Sequence, residues 1–288
     1  MRRRVAARLE AAQGPAAAGA TSEKMIITLS AGGLADFGQS AEALRGADLR
    51  PEAIEILWDN FCALDPARLA DDLAALADRV MLHVMWSRYL ELDDAAFAAL
   101  LARLRAHIAV LRPLAISDHL CRFHFGGAFV GSGQERDYGD LDFVSERVVR
   151  YQDAIGQTLL VENTASSEHP AAMQIDFVAE LQARTGCGIL FDISNAVVGE
   201  LNGLGAVTAW LPLIAGKPIR CHVGSYSRDA EGECYVDSHD ADVGAATEAA
   251  IALVARTATI ESITYERDAN RSAAAIAADL RRIARASG

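Results

Sequence analysis

Histidine and carboxylate side chains recur where predicted strands of this chain end. The stretch from Ile219 to Asp240 shows the pattern most densely: an apolar strand, Ile219 to Val223, presents His222, and the loop after it carries Asp237 and His239. Other predicted strands end in the same way, at His83, His119, Glu162, Asp192 and Glu266. Imidazole and carboxylate ligands without thiolate suit iron, manganese or zinc. A series of such residues, one per repeat unit, predicts a metal centre.

The number of these residues decides between two interpretations. Any one of them, taken alone, is explained more simply by a structural hydrogen bond. Burying so many carboxylates and imidazoles together without a cation would be costly, because of mutual repulsion and desolvation. With Asn195 included, roughly nine candidate ligands exceed what one ion takes, so we predict two or three ions bridged by Glu162. Asp118 stays outside the set, because it either orients His119 or faces the helices.

An alternation of strands and helices must position these polar residues. The predicted strands are Ile26–Ser30, one within Pro51–Asn60, Val80–Met85, Leu114–His119, Thr158–Glu162, Gly188–Asp192, Ile219–Val223 and Ser262–Glu266. Helical patterns cover Pro66–Asp78, Asp93–Leu111, Leu141–Ile155, Ile175–Thr185, Val207–Leu211, Val243–Arg256 and Ser272–Ala286. Repeated units of this kind require a parallel sheet, and eight of them close into a barrel. We predict an α/β fold, a (β/α)8 TIM barrel with the metal site at the C-terminal ends of the strands.

Composition and charge exclude several classes of protein. A hydrophobic content of 51% with 23% charged residues indicates a globular chain with an ample core. The net charge of −12 argues against a nucleic-acid partner. No apolar run approaches the roughly 20 residues that cross a bilayer, so no membrane partner is predicted. The five cysteines form no CxxC pair, which favours reduced thiols in a cytoplasmic protein.

The first 24 residues differ from the rest of the chain. They are rich in arginine and alanine and lack the apolar centre of a secretory signal. We predict a disordered or frayed extension over residues 1–24, followed by a single TIM-barrel catalytic domain over residues 25–288. Met25 is a candidate start, because the patterned sequence begins there.

Short motifs around the strand ends, taken together, resemble a known family. They are SDH at Ser117–His119, LVEN at Leu160–Asn163, FDISN at Phe191–Asn195, CHVGSY at Cys221–Tyr226, VDSHD at Val236–Asp240 and TYERD at Thr264–Asp268. In this order they resemble the multinuclear non-haem iron-dependent oxidative enzymes, TIM-barrel proteins that modify cysteines in ribosomally made peptides. LWDNF at Leu57–Phe61 and LHVMWSRYLE at Leu82–Glu91 are similar to the methanobactin-biosynthesis branch.

The resemblance implies an activity, a cofactor and partners. It implies metal ligands at His83, His119, Glu162, Asp192, Asn195, His222, Asp237, His239 and Glu266; of these, we predict that Glu162, His222 and Glu266 are catalytic. The implied cofactor is two or three non-haem iron ions in mixed Fe(II) and Fe(III) states, with O2 as co-substrate. The implied substrate is a cysteine of a precursor peptide, oxidised to an oxazolone with a neighbouring thioamide. A separate subunit that recognises the leader peptide is the implied heterodimer partner.

Two other classes of function remain open from the residues alone. One is a divalent-metal isomerase or hydrolase of the sugar-isomerase or endonuclease type, which would turn over without oxygen. The other is a non-catalytic binding module that keeps its metal for structural reasons.

Overall fold

The computed structural model describes residues 25–49, 52–125, 128–129, 140–165, 169–269 and 271–288. The predicted extension over residues 1–24 lies outside these ranges, and so does part of the loop that precedes Asp140.

Eight parallel strands form a closed barrel. They are β1 (Ile26–Ala31), β2 (Ala53–Leu57), β3 (Arg79–Val84), β4 (Ile116–His119), β7 (Leu159–Glu162), β8 (Gly188–Asp192), β9 (Pro218–Val223) and β12 (Thr259–Tyr265). They pair in chain order, and β12 closes the ring against β1. Two short antiparallel hairpins accompany the barrel: β5 (His124–Phe125) with β6 (Ala128–Phe129), and β10 (Tyr226–Arg228) with β11 (Tyr235–Asp237). The predicted TIM barrel is confirmed.

Helices between the strands surround the barrel. Within the described ranges they are α1 (Leu34–Gly46), α2 (Pro66–Ala74), α3 (Asp94–Leu111), α4 (Leu141–Ile155), α5 (Ala171–Thr185), α6 (Ile193–Leu201), α7 (Leu211–Ile214), α8 (Ala245–Ala255) and α9 (Ala273–Ser287). Local signals fix several of their ends. The Asp65 carboxylate accepts the amide N–H groups of Ala67 and Arg68 at the start of α2, and Gly186 ends α5 with φ at 70°.

Side chains of each strand alternate between the barrel interior and the helices. In β3, Val80, Leu82 and Val84 belong to the large apolar core between barrel and helices. Met81 belongs instead to a small interior cluster with Ala53 of β2. Because the period is two residues, His83 shares the interior face with Met81, one step nearer the C-terminal end. The alternation thus places polar strand ends inside one rim of the barrel.

Three segments differ from the sequence predictions. Helix α1 occupies a region between the first two strands for which the sequence analysis gave no helix. The second strand ends at Leu57, and Trp58–Asn60 forms a 3₁₀ turn. Helix α6 follows Asp192 directly, whereas the helical segment predicted at Val207–Leu211 is a 3₁₀ turn over Val207–Trp210 that leads into α7.

Candidate metal centre

Glu162, at the end of β7, faces three imidazoles. Its Oε2 atom lies 3.2 Å from Nε2 of His119 and 3.4 Å from Nε2 of His83, and its Oε1 atom lies 3.4 Å from Nδ1 of His222. The side chain is 3% exposed. The register of the sheet explains the closeness, because His119 pairs directly with Glu162 across β4 and β7. A carboxylate whose two oxygens face different imidazoles has the geometry of a ligand that bridges two metal ions.

A second group gathers around His222 at the end of β9. Its Nδ1 atom lies 3.2 Å from Oε2 of Glu266, which follows β12. Ligand atoms of Glu162, Asp192, His222 and Glu266 all lie within 4.8 Å of one another, and so do those of His83, His222 and Glu266. Asp192 pairs with His222 in the register of β8 and β9. These clusters could hold metal ions.

A third group lies beside Glu266. Nε2 of His239 is 2.8 Å from Oδ2 of Asp237 and 3.7 Å from Oε2 of Glu266. Asn195 lies in the first turn of α6, where Asp192 caps the helix by accepting its amide N–H at 2.7 Å. The nine predicted ligands thus line one rim, although Asp237 and His239 lie outside the tightest clusters of histidine and carboxylate atoms.

Several buried oxygen atoms of the rim have no hydrogen-bond donor. Within the described residues these include Oδ2 of Asp192, Oδ1 of Asn195 and Oδ1 of Asp237. A buried acceptor without a partner costs roughly 1–3 kcal/mol. Cations at the rim would satisfy all three acceptors together, and all three belong to the predicted ligand set. The donor set of imidazole nitrogens and carboxylate or amide oxygens therefore fits a multinuclear iron, manganese or zinc centre.

The charges of the rim are strongly coupled. Burial and the neighbouring carboxylates of Asp237, Glu162 and Glu266 raise the pKa of Asp192 well above its usual value. Burial also acts to raise the pKa of Glu266, but the imidazoles of His222 and His239 outweigh it and bring this pKa down to about 2. Burial opposes the charged form of His222, yet Glu266, Glu55 and Glu162 raise its pKa well above the usual value. Cations at the rim would replace these protons, so metal binding and proton release are linked.

Glu55 is a site residue that the sequence analysis missed. It lies on β2, is buried, and places Oε1 2.7 Å from Nε2 of His222. The signal that could have found it is a lone charge in an apolar strand: Ile54 and Ile56 pack against the helices, so Glu55 must point into the barrel.

Other polar residues hold the candidate ligands in place. Oγ of Ser117 lies 2.9 Å from Nδ1 of His83, and Oδ2 of Asp268 lies 3.2 Å from Nδ1 of His239. Asp118 accepts a hydrogen bond from the Tyr151 hydroxyl on α4 at 3.0 Å. The alternative left open by the sequence is thereby decided, because Asp118 faces the helices.

Gly224 makes room for His239. A Cβ atom at Gly224 would lie 2.4 Å from Cδ2 of the His239 ring. The amide N–H of Gly224 donates to Oγ of Ser194 at 2.8 Å, and the Ser194 hydroxyl donates to the Gly224 carbonyl at 2.9 Å. His239 itself has φ at 49°, in the left-handed region that few non-glycine residues adopt. The absence of a side chain at Gly224 and the left-handed backbone of His239 thus allow this imidazole to lie close to Asp237 and Glu266.

The chain matches a known protein family over most of its length. A model of the family described as RiPP precursor modification enzyme MbnB/TglH/ChrH matches residues 41–287. The chain belongs to this family. The match confirms the family resemblance found in the motifs, and it covers every strand that ends in a candidate ligand.

Curated relatives of this MbnB/TglH/ChrH chain are UPF0276 proteins. A UPF0276 protein of Bordetella pertussis is 36% identical over 171 residues, which cover 55% of this chain and 58% of that protein. A UPF0276 protein of Rhizorhabdus wittichii is 30% identical over 233 residues, 77% of this chain and 81% of that protein.

Solved structures share the barrel of this MbnB/TglH/ChrH member. A xylose isomerase-like TIM-barrel protein from Mycobacterium smegmatis, in complex with magnesium, has a TM-score of 0.61 at 12% identity and covers 94% of this chain and 100% of its own. At this identity the likeness shows the fold alone. Among the described residues, no helix has the length and apolar character needed to cross a membrane.

Proposed function

We propose that this protein is an iron- and oxygen-dependent oxidase that modifies a cysteine of a ribosomally made precursor peptide. The observation that carries the proposal is the Glu162 carboxylate, buried among three imidazoles, with carboxylates on both sides of it. Membership of the precursor-modifying family supports a peptide as substrate. The product we propose is an oxazolone with a neighbouring thioamide, as in methanobactin-type biosynthesis.

The metal ligands we propose are the nine rim residues, His83, His119, Glu162, Asp192, Asn195, His222, Asp237, His239 and Glu266. They would hold two or three non-haem iron ions in mixed Fe(II) and Fe(III) states. When bound, iron supplies a Lewis acid that favours the thiolate of the substrate cysteine and an electron path from that cysteine to dioxygen. Glu162, His222 and Glu266 are the residues that we propose to be catalytic.

The residues of the chain have three tasks in this proposal. Glu162 faces His83 and His119 with one carboxylate oxygen and His222 with the other. It would thereby fix the distance between the two sides of the rim. Glu55 places a negative charge 2.7 Å from Nε2 of His222, which favours a proton on that nitrogen and leaves Nδ1 to face the centre. The buried rim keeps bulk water away from the reacting cysteine, which strengthens every charge interaction there. Holding thiol and oxidant side by side makes the chemistry effectively intramolecular.

The overall reaction balances without a further reductant. The cysteine and its neighbouring amide lose four electrons and four protons, and one dioxygen takes up both to give two water molecules. The peptide therefore loses four hydrogen atoms and gains no oxygen. A separate subunit that recognises the leader peptide completes the proposed enzyme as a heterodimer. All five cysteines are free thiols, which supports a reducing, cytoplasmic setting.

The test combines metal analysis with peptide mass spectrometry. Protein loaded anaerobically with iron is mixed with the partner subunit and a cysteine-containing precursor peptide encoded beside its gene, and oxygen is then admitted. The expected result is oxygen consumption together with the loss of four hydrogen atoms. An unchanged peptide mass with full iron occupancy would refute the proposal. Turnover of a sugar substrate without oxygen, supported by manganese, would instead favour the isomerase class.

A further inference from the structure

A row of aromatic rings leads from the candidate metal centre to the surface. The His119 ring lies 6.4 Å from the Phe123 ring, between centroids, and Phe123 lies 4.7 Å from Trp86. Phe129, on the β5–β6 hairpin, lies 6.2 Å from Trp86. His119 is the Glu162 neighbour described above. The row therefore begins at the rim of the metal centre.

The outer end of this row is open to solvent. Trp86 is 40% exposed and Phe129 is 59% exposed, whereas Phe123 beneath them is 2% exposed. Large aromatic side chains are costly to leave in water, and adjacent exposed ones mark interaction sites more often than isolated ones do. We call Trp86, Phe123 and Phe129 the aromatic platform.

The platform is held in place from below. Oε1 of Glu91 accepts the backbone N–H of Phe123 at 3.1 Å and that of His124 at 2.6 Å. Glu91 belongs to the loop after β3 that also carries Trp86, whereas Phe123 and His124 follow β4. One partly buried carboxylate thus connects the two loops. The His124 ring also packs edge-on against Phe129 at 5.6 Å. These contacts fix the rings before any ligand arrives, which lowers the entropic cost of binding.

We propose that the aromatic platform binds an apolar or aromatic side chain of the precursor peptide, close in sequence to the cysteine that is modified. The proposal rests on the function proposed above, which brings a peptide cysteine to the metal centre. The two steps from His119 to Trp86 measure 6.4 and 4.7 Å. An extended peptide advances about 3.3–3.6 Å per residue. A side chain one to three residues from the cysteine therefore reaches the platform while the thiol is at the metal centre.

The chain offers a direct optical report on this surface. It has three tryptophans, and Trp58 and Trp210 are buried, at 1% and 2% exposure. Iodide in solution therefore quenches mainly Trp86. The probes are short synthetic peptides with one central cysteine, in which phenylalanine or serine is placed in turn at each of the three positions on either side. Binding is measured by fluorescence anisotropy of labelled peptides on protein loaded anaerobically with iron, and iodide quenching is measured with unlabelled peptides under the same conditions.

The expected result is a preference for phenylalanine over serine at one or more positions, by about two- to tenfold in affinity, the range of an aromatic pair contact. The preferred peptide should also shield Trp86 from iodide. Trp86→Ala should abolish the preference, and Trp86→Phe should restore it. Val110→Ala is the matched control, since Val110 is 43% exposed on α3 and belongs to no ring contact with the platform.

Three outcomes would refute the proposal that the aromatic platform binds the precursor peptide. They are equal affinities for both peptide series, a preference that survives Trp86→Ala, and shielding of Trp86 by the partner subunit alone. The same peptides are then incubated with iron-loaded protein, partner subunit and oxygen. Peptides that shield Trp86 but keep their mass would leave the platform standing and refute the oxidase. Peptides that are oxidised without any phenylalanine preference would support the oxidase and refute the platform as a binding site.

Discussion

The Nε2 atom of His222 lies 2.7 Å from Oε1 of Glu55, inside the barrel. The other ring nitrogen, Nδ1, lies 3.2 Å from Glu266 and 3.4 Å from Glu162. The imidazole thus stands between one carboxylate on β2 and two at the rim. A carboxylate behind a metal-binding histidine fixes the tautomer and the ring orientation. Glu55 is therefore a positioning residue for the proposed centre, and it acts through His222.

Replacing Glu55 by glutamine should weaken metal binding. The amide keeps the shape of the side chain but removes the negative charge beside Nε2 of His222, and losing such a partner lowers metal affinity about ten- to a hundredfold. Competition with a chelating dye measures the affinity. Glu261→Gln is the control, because Glu261 lies on β12 but pairs with Arg220 at the surface. Unchanged affinity in Glu55→Gln would show that this carboxylate does not support the centre.

Removing a central ligand should empty the site without unfolding the barrel. We expect Glu162→Ala and His222→Ala to lower the iron content and abolish activity, because each residue contacts two of the three groups at the rim. Iron is measured by elemental analysis and folding by circular dichroism. Glu180→Ala removes an exposed carboxylate on α5 and should change neither property. Full iron occupancy in both rim variants would rule out these ligand assignments.

Adding a methyl group at Gly224 should disturb only one part of the centre. The new Cβ atom would meet the His239 ring at 2.4 Å, so the imidazole must leave its present position, 2.8 Å from Oδ2 of Asp237. The iron content of Gly224→Ala should fall without being lost, because the Glu162 group is unaltered. Gly38→Ala is the control. No atom lies within 4 Å of its new Cβ, and alanine inside α1 should raise the free energy of unfolding by about 1 kcal/mol. Equal iron in both variants would contradict the placement of His239.

Stability should depend on pH through a thiol far from the rim. Burial raises the pKa of Cys187 from an ordinary value of 9.0 to about 11. The folded chain therefore holds this proton more tightly than the unfolded chain. The resulting stability is fully present below pH 9.0 and is lost as the pH rises through about 11. Urea unfolding of wild type and Cys187→Ala checks this. The variant should be destabilised at neutral pH and by less in alkali, and a constant difference would contradict it.

The barrel could be predicted because its strands have strong, regular signals. Runs such as Val80–Val84 are apolar on both faces until the last interior position, where His83 breaks the run. Parallel strands bring such breaks to one rim, so the convergence of His119, Glu162 and His222 follows from topology. The polar residues at the strand ends can be recognised in the sequence, and closure of the parallel sheet explains why they lie together.

Other elements gave no usable sequence signal. Helix α6 is buried over Ile193–Gly199, so it lacks the amphipathic pattern that marks a helix. Helix α1 contains Gly38 and begins directly after a glycine pair, and glycine weakens the local signal for a helix. Glu55 sits in mid-strand, two positions before the strand end, outside the pattern of polar strand ends that marked the candidate ligands. The pairing of Trp86 with Phe129 depends on two loops from different strands, and spacing along the chain does not reveal it.

Glu266 follows β12, the strand that closes the ring against β1. The final carboxylate of the rim therefore leaves the ribosome only after the seven other barrel strands have been synthesised. If the proposed centre holds iron, its full ligand set is assembled only when β12 joins the barrel, so complete loading follows closure of the sheet.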